Sequence, residues 1–323
     1  TQTGGRMPTS LSTERLSRIS AWQSALVDQG AVPCALTLVN QGGETAFLEG
    51  AGWASVPARD PIRNDSIFRL YSMTKPIVSI ALLQLYEEGC FQLGDPLHQY
   101  LGPKWRKENL RVFAGWNGDD EARKSLDYAT VPCASDITVG QILTHTAGLS
   151  YGFDPSGRGI PVDRVYAKTL RHPARKDAPR DPNDPSMMAA FCDALAEMPL
   201  LYQPGTQWNY SYAADVSGAL IEVLSGQPLD QFLAERLTGP LGMSDTAFDV
   251  PADKADRLVR NTRYVAPADA EGGPGTADRA LVWRPCRAVA HGICPRNRPD
   301  ACAGGLDSPV HGLHHKVATA SKV

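Results

Sequence analysis

The chain has 323 residues, 42% of them hydrophobic and 21% charged, with a net charge of −3. That profile fits a soluble mixed α/β protein, either one large domain or a core with a smaller subdomain. It gives no electrostatic basis for binding nucleic acid or an anionic membrane, and no apolar run approaches the ~20 residues that span a bilayer.

The first seven residues, Thr1-Gln-Thr-Gly-Gly-Arg-Met7, lack the apolar core of a secretory signal, so a cytoplasmic location is expected. The seven cysteines are odd in number, scattered and without a Cys-x-x-Cys pair, which points to reduced thiols rather than a disulfide frame. Cys286, Cys294 and Cys302, with His291 among them, step by eight residues. That is not zinc-ligand spacing, and neither a metal nor any other cofactor is expected.

In chain order, residues 12–29 read as an amphipathic helix capped by Ser12, with Leu16, Ile19, Trp22 and Leu26 on one face and Gly30 as the stop. Residues 34–40 and 45–53 read as two strands of a hairpin around the turn at 41–43. Residues 67–72 read as a short extended entry. From Met73 to Glu88 the apolar residues Ile77, Val78, Ile80, Leu82, Leu83 and Leu85 surround a helix closed by Gly89, which predicts a central buried helix. Residues 102–136 look polar and irregular. Residues 137–149 suggest a short helix stopped at Gly148. Residues 151–186 are rich in proline and charge, as in a long surface excursion or lid. Helices follow over 186–198, 213–225 and 228–237, with a turn and an extended stretch at 201–211 between the first two.

The last 44 residues, 280–323, differ. They hold three of seven cysteines, four of seven histidines and one aromatic, Trp283. Neither strand nor helix period is evident there, so residues 251–323 are expected to form an atypical tail, disordered or out of frame.

One pair of residues carries chemistry. "RLYSMTKPIV" (69–78) holds the only Ser-x-x-Lys of the chain, Ser72 and Lys75. Residues three apart on a helix share a face, and Ser72 stands at a helix N-terminus, where unpaired N–H groups favour negative charge. A desolvated, neutral Lys75 would take the proton of Ser72 as the hydroxyl attacks a carbonyl; the alternative is a capping serine followed by a lysine that reaches out to water. Tyr210, in "WNYSYAAD" (208–215), is a second candidate. A phenol is a poor base unless a cation stabilises its anion, and Lys75 would serve; otherwise Tyr210 packs the start of a helix.

Five stretches together resemble the serine β-lactamase-like superfamily, which includes class C β-lactamases, penicillin-binding-protein-like peptidases and family VIII carboxylesterases. They are "FRLYSMTKPIVSIALLQLYEEG", "LGDPLHQYLG", "ITVGQILTHTAGL", "QPGTQWNYSYAADVSGALIEVLSGQPL" and "PLGMSDTAF", within residues 12–250. The resemblance implies an α/β fold of α+β type: an antiparallel sheet flanked by helices, with an all-helical subdomain and lid within about 90–200. It implies Ser72 as nucleophile, with Lys75 and Tyr210 as its proton-transfer partners, and gives His145 a turn role rather than that of a catalytic base.

Two departures matter. Tyr212 stands where lactamases carry an asparagine that helps hold the side-chain amide of a β-lactam; this resembles the esterase branch and makes Tyr212 the expected substrate-binding position. The family's third box, Lys-Thr-Gly or a variant on a strand that supplies the second oxyanion donor, has no match after Tyr210, and no strand for one is expected in 251–323. Loss of one such donor typically costs about 10²–10³ in rate. "GGL" at 304–306 resembles the start of the family's glycine-rich segment, and the divergence beyond it reads as a frame change. The expectation is thus a serine hydrolase acting through an acyl-enzyme on a small carboxylic ester or amide, with a truncated, non-catalytic homologue as the alternative.

Overall fold

The computed structural model describes residues 11–152, 159–170, 186–265, 282–285 and 318–319. They fall into two compact units, described in turn. The first comprises the described residues up to Arg69, from Val250 to 265, 282–285 and 318–319; the second runs from Leu70 to Asp249.

The first unit begins with helix α1 (Thr13–Asp28), whose N-cap Ser12 accepts the Arg15 N–H. Strands β1 (Cys34–Gln41) and β2 (Glu44–Ser55) pair antiparallel, with a register shift at Val39/Asn40, and a two-residue strand β3 (Asp60–Pro61) extends the sheet in the order β1-β2-β3. The helix face differs from the expected one. Trp22 is 60% exposed, while Gln23 is buried, taking the Thr37 hydroxyl and donating to the Glu49 carbonyl. A buried amide is tolerated because strand groups satisfy it.

Strand β4 (Phe68–Arg69) pairs with Ala318–Thr319, and Thr262–Val265 pairs with Val282–Pro285, both antiparallel. Main-chain bonds knit Ile67 to Arg257 and Val259, and buried Ile67 packs with Val250 and Leu258. The C-terminal segment therefore does contain strand, contrary to the expectation. Its runs are two to four residues long, too short to show a period of two. The rest of that segment, with Cys286, His291, Cys294, Cys302 and the glycine pair before Leu306, lies outside the described residues.

The second unit is mainly helical. After a 3₁₀ turn at Tyr71–Met73 comes α2 (Thr74–Glu87), so Ser72 sits in a tight turn rather than at the end of a strand. Val78, Ala81, Leu82 and Leu85 of α2 are buried, but Ile80 is 51% and Leu83 40% exposed. The helix is thus buried along one side, not all round.

Helix α3 (His98–Leu101) leads to a hairpin, β5 (Arg111–Trp116) and β6 (Tyr128–Pro132), with α4 (Asp120–Ser125) in its connection. This region was expected to be irregular. A register shift between Phe113 and Gly115 breaks the side-chain alternation, so the strand signal is lost in sequence. Phe113, Trp116 and Tyr128 cluster on the hairpin, with ring centroids 5.4–6.1 Å apart.

Helix α5 (Val139–Leu143) starts with a capping box between Thr138 and Gln141. Helix α6 (Pro161–Thr169) lies within the expected surface excursion, yet buries Val162, Val165 and Tyr166. The flanking 153–158 and 171–185 lie outside the described residues. Helices α7 (Ser186–Ala196) and α8 (Ala213–Ser225) follow, then α9 (Leu229–Leu233), which widens into a π-turn over Ala234–Thr238. The core of this unit joins Val78 and Leu82 of α2, Ile142 of α5, Leu195 of α7, and Val216 and Leu220 of α8, each at most 1% exposed.

Candidate active site

Three segments of the second unit carry the site. The first is the turn at Tyr71–Met73 and the start of α2. Tyr71 has φ +48°, a left-handed conformation unusual for a bulky residue, directly before Ser72. That turn places the Ser72 hydroxyl at the head of a 14-residue helix. Lys75, one turn along, projects to the same side.

The second segment is the loop after α5. His145 also has positive φ, +56°, and Gly148 has φ +79°. A Cβ on Gly148 would lie 2.1 Å from the Tyr202 carbonyl oxygen, so only glycine fits, and Leu201 bonds its carbonyl. The third is the extended stretch before α8. Asn209 donates its N–H to the His145 carbonyl (2.9 Å), and Tyr212 donates its own to the Ser150 carbonyl (3.2 Å). These bonds lay the Tyr210 stretch along the His145–Tyr151 loop.

The result brings Ser72, Lys75 and Tyr210 together. The Tyr210 oxygen is 2.7 Å from Ser72 Oγ and accepts a bond of 2.6 Å from Lys75 Nζ. Lys75 Nζ also stands 4.4 Å from the Tyr210 ring centroid and 5.7 Å from that of Tyr151. Residues 135 and 138 positions apart in the chain thus share one oxygen atom.

Tyr210 is held on two sides. The His145 ring stacks on it at 5.4 Å and 18°, and the Tyr151 ring meets it edge-on at 5.4 Å. His145 Nδ1 lies 3.1 Å from the Ser211 hydroxyl. Burial, reinforced by the charge of Lys75 and opposed by Asp215, holds the imidazole down to a pKa of about 4. It is neutral at pH 7 and engaged with Ser211, which suits a packing role rather than a triad base. Burial, followed by the charge of Asp215, pushes the Tyr151 phenol far above its usual range, so it stays protonated.

Tyr212 lies apart from the exposed side of the site. It is 4% exposed, with its ring 4.5 Å from Tyr151 and 5.2 Å from Phe191. Sequence reasoning missed Tyr151, Ser150, Asp163 and Asn209. Tyr151 had one visible signal, a large aromatic flanked by Gly148 and Gly152 in a turn-rich stretch. Among the described residues no cluster of His, Cys, Asp and Glu has the form of a metal site, and no helix is long and apolar enough to cross a membrane.

The Beta-lactamase family model matches residues 19–306. The match therefore reaches the glycine-rich stretch, beyond the 12–250 span of the sequence resemblance. Protein Rv1367c of Mycobacterium tuberculosis is 35% identical over 232 residues, covering 72% of this chain and 51% of the relative. Esterase EstB of Burkholderia gladioli is 32% identical over 248 residues, covering 75% and 54%. The chain thus spans about half the length of the curated relatives it matches. Among solved structures, unliganded simvastatin synthase (LovD) of Aspergillus terreus superposes with a TM-score of 0.66 at 20% identity, over 96% of this chain and 66% of that one. With antiparallel strands, a helical unit and a family match over most of its length, the chain belongs to the Beta-lactamase family, in the serine β-lactamase and transpeptidase-like superfamily.

Proposed function

We propose that the chain is a serine hydrolase that works through an acyl-enzyme, with a carboxylic ester as substrate. The observation that carries this reading is the single Tyr210 oxygen within hydrogen-bond reach of both Ser72 and Lys75. Ser72 Oγ attacks the ester carbonyl carbon and passes its proton across 2.7 Å to the Tyr210 oxygen, which reacts as a phenolate held beside the Lys75 ammonium and becomes the neutral phenol. The C–O bond to the alcohol breaks, and Tyr210 returns the proton to the departing oxygen. Water then attacks the acyl-enzyme, giving its proton to Tyr210; the bond from the acyl carbon to Ser72 Oγ breaks, Tyr210 passes that proton to Ser72 Oγ, and the acid is released. The N-terminus of α2 favours negative charge beside the reacting carbonyl.

An ester with an apolar group suits the surroundings. Met73, next to Ser72, is 65% exposed, and Trp208, two residues before Tyr210, is 60% exposed. The esterase name of EstB supports the same substrate class. Tyr212, buried beneath Tyr151, would act on substrate through the rings it supports rather than by direct contact.

A fluorophosphonate probe tests the proposal. Folded wild-type protein is labelled, Ser72→Ala is not, and p-nitrophenyl butyrate is hydrolysed faster than a chromogenic cephalosporin. Absence of labelling on folded wild-type protein overturns the hydrolase reading and favours a non-catalytic homologue.

A further inference from the structure

We infer that Asp163 is a positioning residue for the Tyr210 phenol, acting through Ser150 and Asn209. The inference rests on the acyl-enzyme reading above for its kinetic consequence, but its structural content stands separately. Asp163 lies in the first turn of α6, in the stretch that the sequence presents as a solvated excursion, yet it is buried. Its Oδ1 accepts the Ser150 hydroxyl, the Gly152 N–H (3.0 Å) and the Tyr151 N–H (3.4 Å). Three donors on one carboxylate oxygen are what a buried carboxylate needs, and they fix the backbone of 150–152 to α6.

From the other side, the buried Asn209 amide grips the same loop. It donates to the Leu149 carbonyl at 3.0 Å, the Ser150 hydroxyl oxygen at 3.4 Å and the Tyr210 carbonyl at 3.2 Å. The Tyr212 N–H closes the link on the Ser150 carbonyl at 3.2 Å. A continuous set of hydrogen bonds therefore runs from the Asp163 carboxylate through Ser150 and Asn209 to the main chain of Tyr210. The same carboxylate holds Tyr151, whose ring abuts the Tyr210 ring at 5.4 Å. Nothing in this set reaches the Ser72 hydroxyl itself. Its effect is to set where the Tyr210 oxygen stands between Ser72 and Lys75.

Proton transfer is sensitive to such placement; a displacement of about 1 Å commonly costs about 10²-fold in rate. Asp163→Asn keeps the shape but removes the charge that orders the three donors. It is expected to lower kcat for p-nitrophenyl butyrate about 10–100-fold with KM within about threefold, after normalisation to fluorophosphonate-reactive sites. In a Tyr210→Phe background the same change adds less than about twofold, because the atom it positions is gone. Amide hydrogen exchange in 209–212 accelerates in Asp163→Asn relative to wild type. Equal losses in both backgrounds, or unchanged exchange at 209–212, overturn the inference. Ser150→Ala, which breaks the link one step along, is read in the same way if Asp163→Asn fails to fold. If wild-type protein is never acylated, the hydrolase reading falls, while the exchange experiment still judges the positioning.

Discussion

Tyr210→Phe removes one oxygen and leaves the ring. The stacking with His145 and the edge contact with Tyr151, both at 5.4 Å, survive, so folding stability should change by about 1 kcal/mol, the scale of a lost hydrogen bond. The kinetic loss should be larger. A positioned proton acceptor typically contributes about 10²–10⁴-fold, and the Tyr210 oxygen stands 2.7 Å from Ser72 Oγ. The Lys75–Tyr210 contact is partly buried but the Ser72–Tyr210 contact is on the exposed side, where water can take over part of the proton transfer, so the expected loss lies in the lower part of that range, at about 10²–10³ in acylation rate. Stopped-flow measurement of the first turnover of p-nitrophenyl butyrate isolates acylation, and KM should change little. An acylation rate within about threefold of wild type, in a variant of normal thermal stability, would show that the proton leaves Ser72 by another route and would remove Tyr210 from the mechanism.

Two further expectations concern stability. The folded imidazole of His145 has a pKa held down to about 4, against an ordinary value of about 6.5, so its contribution is complete above about pH 6.5 and fades as pH falls toward 4, because only the unfolded chain gains the proton. The difference in melting temperature between wild type and His145→Gln should therefore shift against the wild type between pH 7 and 4; parallel curves would show that the ring is not buried as described. The one-sided burial of α2 predicts that Leu82→Ala costs about 2–5 kcal/mol and Ile80→Ala about 1 kcal/mol or less in chemical denaturation. Equal costs would restore the expectation of a helix buried all round.

Much of the candidate site is legible in the sequence. Ser72, in the turn before α2, and Lys75, in its first turn, are three residues apart, and that local spacing brings both to the head of the helix. Tyr210 announced itself as an aromatic at the start of a helix, and the Ser12 cap and the first hairpin follow from short-range rules, whereas the helix expected to stop at Gly148 ends at Leu143. What escaped were features whose cause lies far away in the chain. The strands around Gly115 were masked by a register shift. Gln23 is buried in place of Trp22 because strand groups, not helix periodicity, satisfy its amide. Asp163 reads as one more charge in a polar stretch until three donors from 150–152 are seen to close on it.

Sequence alone determined the residue types of the proposed chemistry and the closeness of Ser72 and Lys75 at the head of one helix, since a three-residue spacing is local. Only tertiary structure decided that the Tyr210 oxygen sits between them, that Tyr212 turns inward and that α6 is tied to the site. Those outcomes depend on non-local hydrogen bonds and ring packing, whose partners no local pattern can specify.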